Sequence, residues 1–199
     1  MIHIIGAPSS NAKAVFYAYR ELGVDCKIIL SPAELRNSNK IVLPGVGAFG
    51  ALSDFLHDSR FIQPLRSLLD EGVKLLGICL GMQILALESE ESQGHKGIEV
   101  FELKCKKFEG AKLRVPHTGW DQVSITSNHE VLEGLTAEFS AYFSHSYYLP
   151  VQTDLTLAVT SYGAEFTSVI AKRNIFGVQF HPERSQSNGR KILSNFADW

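Results

Sequence analysis

The sequence predicts an α/β protein with a mostly parallel central sheet, flanking helices and an additional antiparallel-rich part. Three observations predict it. In the first half, short apolar runs that do not alternate are separated by amphipathic stretches of helical length. Strands of that kind are buried on both faces, as in a parallel sheet covered by helices. In the second half, strand-like runs follow one another and only the last stretch reads as a clear helix. Finally, 199 residues, 45% of them hydrophobic, can bury a core without metal or disulfide support. No linker, repeat or low-complexity tract divides them, so residues 1–199 are expected to form a single domain.

Met1–Ile5 reads as a buried strand, and Asn11 as the cap of a helix running to about Leu22, with Gly23 as its stop. Cys26–Leu30 and Ile41–Leu43 follow as strands, the latter ended by Pro44. The glycine-rich loop Pro44-Gly45-Val46-Gly47 leads into helical sequence over Ala48–His57. A further helix, about Ile62–Glu71, is closed by Gly72, and Val73–Ile78 returns as a strand. Beyond it, Ile98–Phe108, Val123–Ile125, Phe139–Leu149, Leu155–Tyr162, Phe166–Lys172 and Ile175–Phe180 read as strands. Arg173-Asn174 is a tight turn between the last two, and Gly189–Trp199 is the closing helix.

Composition excludes several functions. Lys plus Arg is 19 against 21 for Asp plus Glu, so the chain lacks the basic excess of nucleic-acid and membrane-surface proteins. Cys26, Cys79 and Cys105 form no CxxC, which argues against a disulfide framework or a cysteine-rich metal site. His3, His57, His95 and His129 have no metal-ligand spacing, and neither metal nor cofactor is expected. No stretch approaches a membrane span, and Met1–Ile5 is too short for a signal segment, so a cytoplasmic location is expected.

Chemistry concentrates at Leu76-Gly77-Ile78-Cys79-Leu80-Gly81-Met82-Gln83, where a strand ends and a cysteine between two glycines precedes helical sequence. This is the cysteine form of the nucleophile elbow. The turn strains the nucleophile, the glycines avoid Cβ clashes, and the following helix N-terminus favours a thiolate. The alternative is a buried cysteine whose glycines serve only the turn. A base is supplied by His181, delivered by an apolar strand in Phe176-Gly177-Val178-Gln179-Phe180-His181-Pro182-Glu183. On an extended chain Glu183, two residues on, points the same way and can orient the imidazole. A surface His–Glu pair is the competing reading. The loop Pro44–Gly50 lacks the Lys and Ser/Thr of a phosphate-binding loop. It suits backbone donation to an oxyanion, from Val46 or Gly47 together with Leu80, or it is a plain turn.

Taken together, Pro44–Gly50, Gly77–Gln83 and His181-Pro182-Glu183 resemble a class I glutamine amidotransferase. The motifs Val115-Pro116-His117-Thr118-Gly119-Trp120, Tyr142–Tyr148 and Gln179–Gln186 followed by Asn195-Phe196 are similar, within that family, to the glutaminase subunits of imidazole glycerol phosphate synthases. The resemblance runs nearly end to end and implies a class I glutamine amidotransferase-like (flavodoxin-like) fold. It implies that Cys79 attacks the side-chain amide of L-glutamine, that His181 protonates the leaving nitrogen, and that a γ-glutamyl thioester hydrolyses to glutamate. Ammonia would pass to a (β/α)8-barrel cyclase in a heterodimer, forming imidazole glycerol phosphate and AICAR in histidine biosynthesis. By position, Gln83, Ser144, His145, Ser146 and Tyr147 would hold glutamine. Asn11, Pro116, His117, Thr118, Gly119, Trp120 and Arg184 would face the partner, with Ser185 approaching the same interface. A core role for the Tyr142–Tyr148 strand is equally compatible with the residues, His145 taken alone reads more readily as a satisfied structural histidine, and Trp120 fits core packing as well as a surface role.

The chain departs from the family pattern at four places. Gly6-Ala7-Pro8-Ser9-Ser10-Asn11 keeps only the asparagine of the usual Asp-Tyr-Gly-x-Gly-Asn turn, Thr118 stands where methionine is common, and Arg184 where lysine is. The region Gly97–Phe108 lacks the usual glycine-rich turn. All four lie near the expected partner face, so a second acceptor stays open: a nucleotide-linked sugar, amidated for surface polysaccharides with ammonia from a paralogous glutaminase. A catalytically idle subunit and an unrelated cysteine hydrolase are the readings from other classes.

Overall fold

A computed structural model of the chain describes residues 1–8, 10–111 and 113–199; Ser9, in the stretch compared with the family turn, lies outside them. In chain order the elements are β1 (Ile2–Ile5), α1 (Ala12–Glu21), β2 (Cys26–Ile29), β3 (Lys40–Gly45), α2 (Phe49–Asp58), α3 (Ile62–Asp70), β4 (Lys74–Cys79) and the one-turn α4 (Leu80–Gln83). There follow β5 (Glu88–Ser89), β6 (Lys104–Lys107), β7 (His117–Ile125), β8 (Glu138–His145), β9 (Tyr147–Tyr148), β10 (Thr156–Tyr162), β11 (Ala164–Lys172), β12 (Ile175–Val178) and α5 (Gln186–Asp198). Short 3₁₀ turns lie at Pro32–Asn37, Glu130–Leu132 and Pro182–Arg184.

Among the described residues, nine strands form one sheet in the order β2-β1-β3-β4-β12-β11-β10-β7-β8, and β5-β6-β9 form a second. From β2 to β12 every pairing is parallel; from β12 to β8 every pairing is antiparallel. The two textures of the sequence are thus the two halves of one sheet, joined at β12. Alternate strand residues face opposite sides. Ile2, Ile4, Val42, Leu76 and Ile78 pack against Val15 and Tyr19 of α1 and Ile192, Leu193 and Phe196 of α5. Ile5, Ile41, Leu43 and Leu75 pack against Leu52 and Leu56 of α2 and Leu65 and Leu69 of α3. Among the described residues, no helix is long and apolar enough to cross a membrane.

Several expected boundaries move. Pro44 does not end β3, which continues to Gly45. The β1–β3 pairing stops at Ile4↔Val42, so the missing N–H of Pro44 faces no ladder, while β4 pairs on to Gly45↔Cys79. Of Ile98–Phe108 only Lys104–Lys107 is a strand. Ile98, Val100 and Phe101 instead donate to Ile84 O and Leu85 O, which satisfies their backbone on an irregular turn. The strand expected at Val123–Ile125 begins at His117. Its half-exposed face carries polar residues, which hid it from an apolar-run reading. Phe139–Leu149 breaks at Ser146, β8 staying in the large sheet and β9 pairing with β6 in the small one. The last helix starts at Gln186, and Gly189 lies inside it because a Cβ there would stand 1.9 Å from Pro182 O.

Candidate active site

Cys79 ends β4 with φ 53° and ψ −109°, a backbone conformation that L-residues rarely adopt. Such strain costs of the order of 1–3 kcal/mol and persists only when the surroundings impose it. The flanking glycines are that imposition. A Cβ on Gly81 would lie 1.7 Å from Leu43 O, and one on Gly77 would lie 2.6 Å from Gly81 O. The helix after the nucleophile, expected to polarise it, is the single turn Leu80–Gln83 and contributes little dipole.

Other groups surround the sulfur. Cys79 and His181 face the same cavity, and Cys79 Sγ also lies 3.9 Å from Ser144 O. His181 lies three residues beyond Val178, whose β12 position pairs with Ile78, so the parallel register brings both groups to the same edge of the sheet. His181 Nδ1 is 2.9 Å from Glu183 Oε1, with both side chains almost fully buried. Burial alone would depress the imidazole pKa, but the sulfur of Cys79 and the carboxylate of Glu183 outweigh it and raise it to about 10. Gln179, fully buried, directs Nε2 at Cys79 Sγ from 3.7 Å. Its orientation is fixed from behind: Gln83 Nε2 donates to Tyr147 O at 2.6 Å and to Gln179 Oε1 at 3.0 Å. A backbone carbonyl thus determines that Gln179 presents a donor, not an acceptor, to the sulfur.

One cavity of about 330 Å³ joins these groups. Cys79 and His181 line it, together with Val46, Gly47, Leu80, Gln83 and Ser144–Tyr147. Pro116 and Arg184, read as partner-facing, also line it. Cys79, His181, the glycine-rich loop and the Ser144–Tyr147 segment singled out in the sequence therefore converge. Among the described residues Gln83 spends both amide N–H groups on protein acceptors, which leaves its oxygen for a ligand. His145 is 6% exposed, with Nδ1 donating to Tyr147 O at 2.8 Å. Burial, with help from the neighbouring imidazoles, lowers its pKa to about 3 against the opposing carbonyl bond, so it stays neutral beside His181.

The remaining residues read as partner-facing divide. Trp120 is 48% exposed, and Arg184 stacks over the Tyr142 ring at 4.1 Å. Thr118 is exposed and Gly119 half-buried beside it. His117 is 3% exposed, stacked on Tyr162 and bonded to His145 and Asp121, so its side chain supports the strand from within instead of offering a surface. Ser185 is likewise buried, donating to His181 O and accepting from Tyr142 N. Asn11 stands at the helix-capping position but makes no side-chain cap; its amide reaches Glu183. Sequence reasoning missed two groups. Gln179 carried a usable signal, lying two residues before His181 on the same extended run. Glu91 lines the cavity and accepts from Phe49 N at 2.7 Å, a contact across 42 residues that only the fold reveals. The other thiols are not reactive candidates: burial pushes both Cys26 and Cys105 up.

Comparison with known proteins shows the family of the chain. The family Glutamine amidotransferase class-I matches residues 3–199. The chain is 37% identical over 205 residues to the imidazole glycerol phosphate synthase subunit HisH of Syntrophotalea carbinolica, covering 100% of both chains. It is 39% identical to the subunit of the same name from Bacillus subtilis, covering 98% of this chain and 95% of that one. A crystal structure of a glutamine amidotransferase superposes with a TM-score of 0.78 over 99% of this chain and 97% of that one, at 18% identity, a likeness of fold alone. An elbow cysteine sharing a cavity with a His–Glu pair, and identity of this extent along the whole length, have one explanation: the chain belongs to the class-I glutamine amidotransferase family, alongside the HisH subunits of imidazole glycerol phosphate synthase.

Proposed function

We propose that the chain is the glutaminase subunit of an imidazole glycerol phosphate synthase, acting in histidine biosynthesis in the cytoplasm. The sulfur of Cys79 attacks the side-chain amide carbon of glutamine, and the C–N bond breaks as His181 gives its proton to the departing nitrogen. Ammonia leaves and a γ-glutamyl thioester forms. Water, deprotonated by His181, then attacks the thioester; glutamate leaves, and the proton returns the pair to its starting state. Val46, Gly47 and Leu80 supply backbone donors to the tetrahedral oxyanion. The oxygen of Gln83 and the Ser144–Tyr147 segment hold the substrate, and the carboxylate of Glu91 suits its α-ammonium group. Ammonia passes to a (β/α)8-barrel cyclase docked on the face that bears Pro116, Thr118, Gly119, Trp120 and Arg184. There it is used to form imidazole glycerol phosphate and AICAR. Identity along the full length supports this acceptor over a nucleotide-linked sugar.

The observation that carries the reading is the strained Cys79 held in one cavity with His181, whose Nδ1 is 2.9 Å from Glu183 Oε1. The test measures glutamate release by the chain with and without the cyclase and its acceptor. Release that rises with the cyclase and is abolished by Cys79→Ser supports the assignment. Release indifferent to the cyclase, or surviving Cys79→Ser, refutes it.

A further inference from the structure

We propose that Asn11 is a positioning residue of the glutaminase site, bracing Glu183 against His181, and not chiefly a contact for the partner; this rests on the glutaminase reading above. Asn11 Nδ2 donates to Glu183 Oε1, 172 residues away in sequence. The same oxygen accepts from His181 Nδ1 at 2.9 Å, and Glu183 Oε2 has no partner among the described residues. One carboxylate oxygen therefore collects both donors, and Asn11 is what opposes its rotation away from the imidazole. An oxygen accepting two N–H groups uses both of its lone pairs, which holds the carboxyl group in one rotation against the imidazole.

Local structure argues the same way. Asn11 occupies the N-cap position of α1: Ala14 N and Val15 N donate to its carbonyl oxygen. An asparagine there ordinarily returns its side chain to the first turn, a bond worth about 1 kcal/mol. Here no cap bond forms, and the first turn of α1 carries no acidic residue. The side chain forgoes local stabilisation for a contact with the triad, which is how functional sites break local rules. The placement of α1 follows from β1, whose C-terminal edge lies beside β3 and hence near the β4–β12 seam.

Aspartate caps helices as well as asparagine does, so a purely local role predicts that Asn11→Asp is silent. Bracing predicts the reverse, because a second carboxylate repels the first and turns Glu183 off the imidazole. In the complex with the cyclase, Asn11→Asp is expected to lower kcat for glutamate release roughly 10- to 100-fold, within what a general base contributes. KM for glutamine and the cyclase concentration giving half-maximal rate should stay at wild-type values. Activity within about twofold of wild type, or a kcat restored by saturating cyclase, overturns the proposal. A second variant, Asn11→Ala, is read without a partner by iodoacetamide alkylation of Cys79 in the full chain at neutral pH. Loss of the brace should slow it about 3- to 10-fold; an unchanged rate overturns the proposal. Should the wild-type complex release no glutamate, the glutaminase reading fails, and the alkylation ratio still decides whether Asn11 braces the pair.

Discussion

Removing the amide of Gln179 isolates the donor that faces the nucleophile. In Gln179→Leu, a side chain of similar volume fills the fully buried site, but Cys79 loses the N–H that lies 3.7 Å from its sulfur. A hydrogen bond to a charged acceptor contributes about 1.5–3 kcal/mol net. At about 1.4 kcal/mol per factor of ten, formation of the thioester should slow by roughly 10- to 150-fold. The variant also strands one N–H of Gln83, which otherwise meets Gln179 Oε1 at 3.0 Å. An orphaned buried donor costs about 1–3 kcal/mol of stability. For a chain of this size that lowers Tm by roughly 2–12 °C. Single-turnover glutamate release with excess enzyme and cyclase reads the first effect, and thermal unfolding reads the second. Because Gln83 keeps its 2.6 Å bond to Tyr147 O, glutamine affinity should change little. A single-turnover rate within threefold of wild type would refute the reasoning, since the donor would then do nothing for the sulfur.

Two further predictions rest on the same geometry. Gly81→Ala forces a Cβ to 1.7 Å from Leu43 O, and backbone on both sides leaves no room to yield. A loss of about 3 kcal/mol or more, at the upper end of overpacking costs, is expected in urea unfolding, together with loss of activity. The second concerns pH. His181 is held at about 10 in the folded chain against an ordinary 6.5, so its contribution to stability is complete below 6.5 and is lost as pH rises through 10. His145 is held at about 3, so the unfolded chain binds the extra proton between 6.5 and 3 and stability falls as pH drops through that window. Stability from these two groups should therefore peak near 6.5, and His145→Asn, which retains a donor for Tyr147 O, should flatten the acid side. Each uncompensated proton sets a slope of at most about 1.4 kcal/mol per pH unit. An unchanged acid limb in urea unfolding of that variant would contradict the assignment.

The elbow at Cys79 and the His181–Glu183 pair were legible because their signals are local. Gly77-Ile78-Cys79-Leu80-Gly81 encodes a steric demand that only this turn makes, and His181-Pro182-Glu183 encodes a period-two orientation at a strand end. Both halves of the sheet were legible for the same reason, since burial on two faces or on one writes a different apolar pattern. What the sequence hid is non-local or irregular. His117–Ile125 is a long strand on the half-exposed antiparallel side, where Thr118, Asp121 and Gln122 erase the apolar run. Ile98–Phe101 is apolar because it packs over Ile84–Leu87, not because it pairs with a strand. Glu91 reaches the cavity through a contact with the start of α2, and the choice of Asn11 between its own helix and Glu183 is decided across 172 residues. No spacing rule reports such closures.

The position of β12 also sets an order of events during synthesis. β12 lies between β4 and β11 although nearly a hundred residues separate it from β4 in the chain. A ribosome delivers Cys79 long before it delivers His181, so the cavity that joins them forms only when the chain is nearly complete. Over the same interval the edge of β4 awaits its neighbour, an unpaired apolar strand that invites association with other nascent copies. Chaperone demand should therefore be greatest while residues 80–174 emerge, and end when the C-terminal segment slots home.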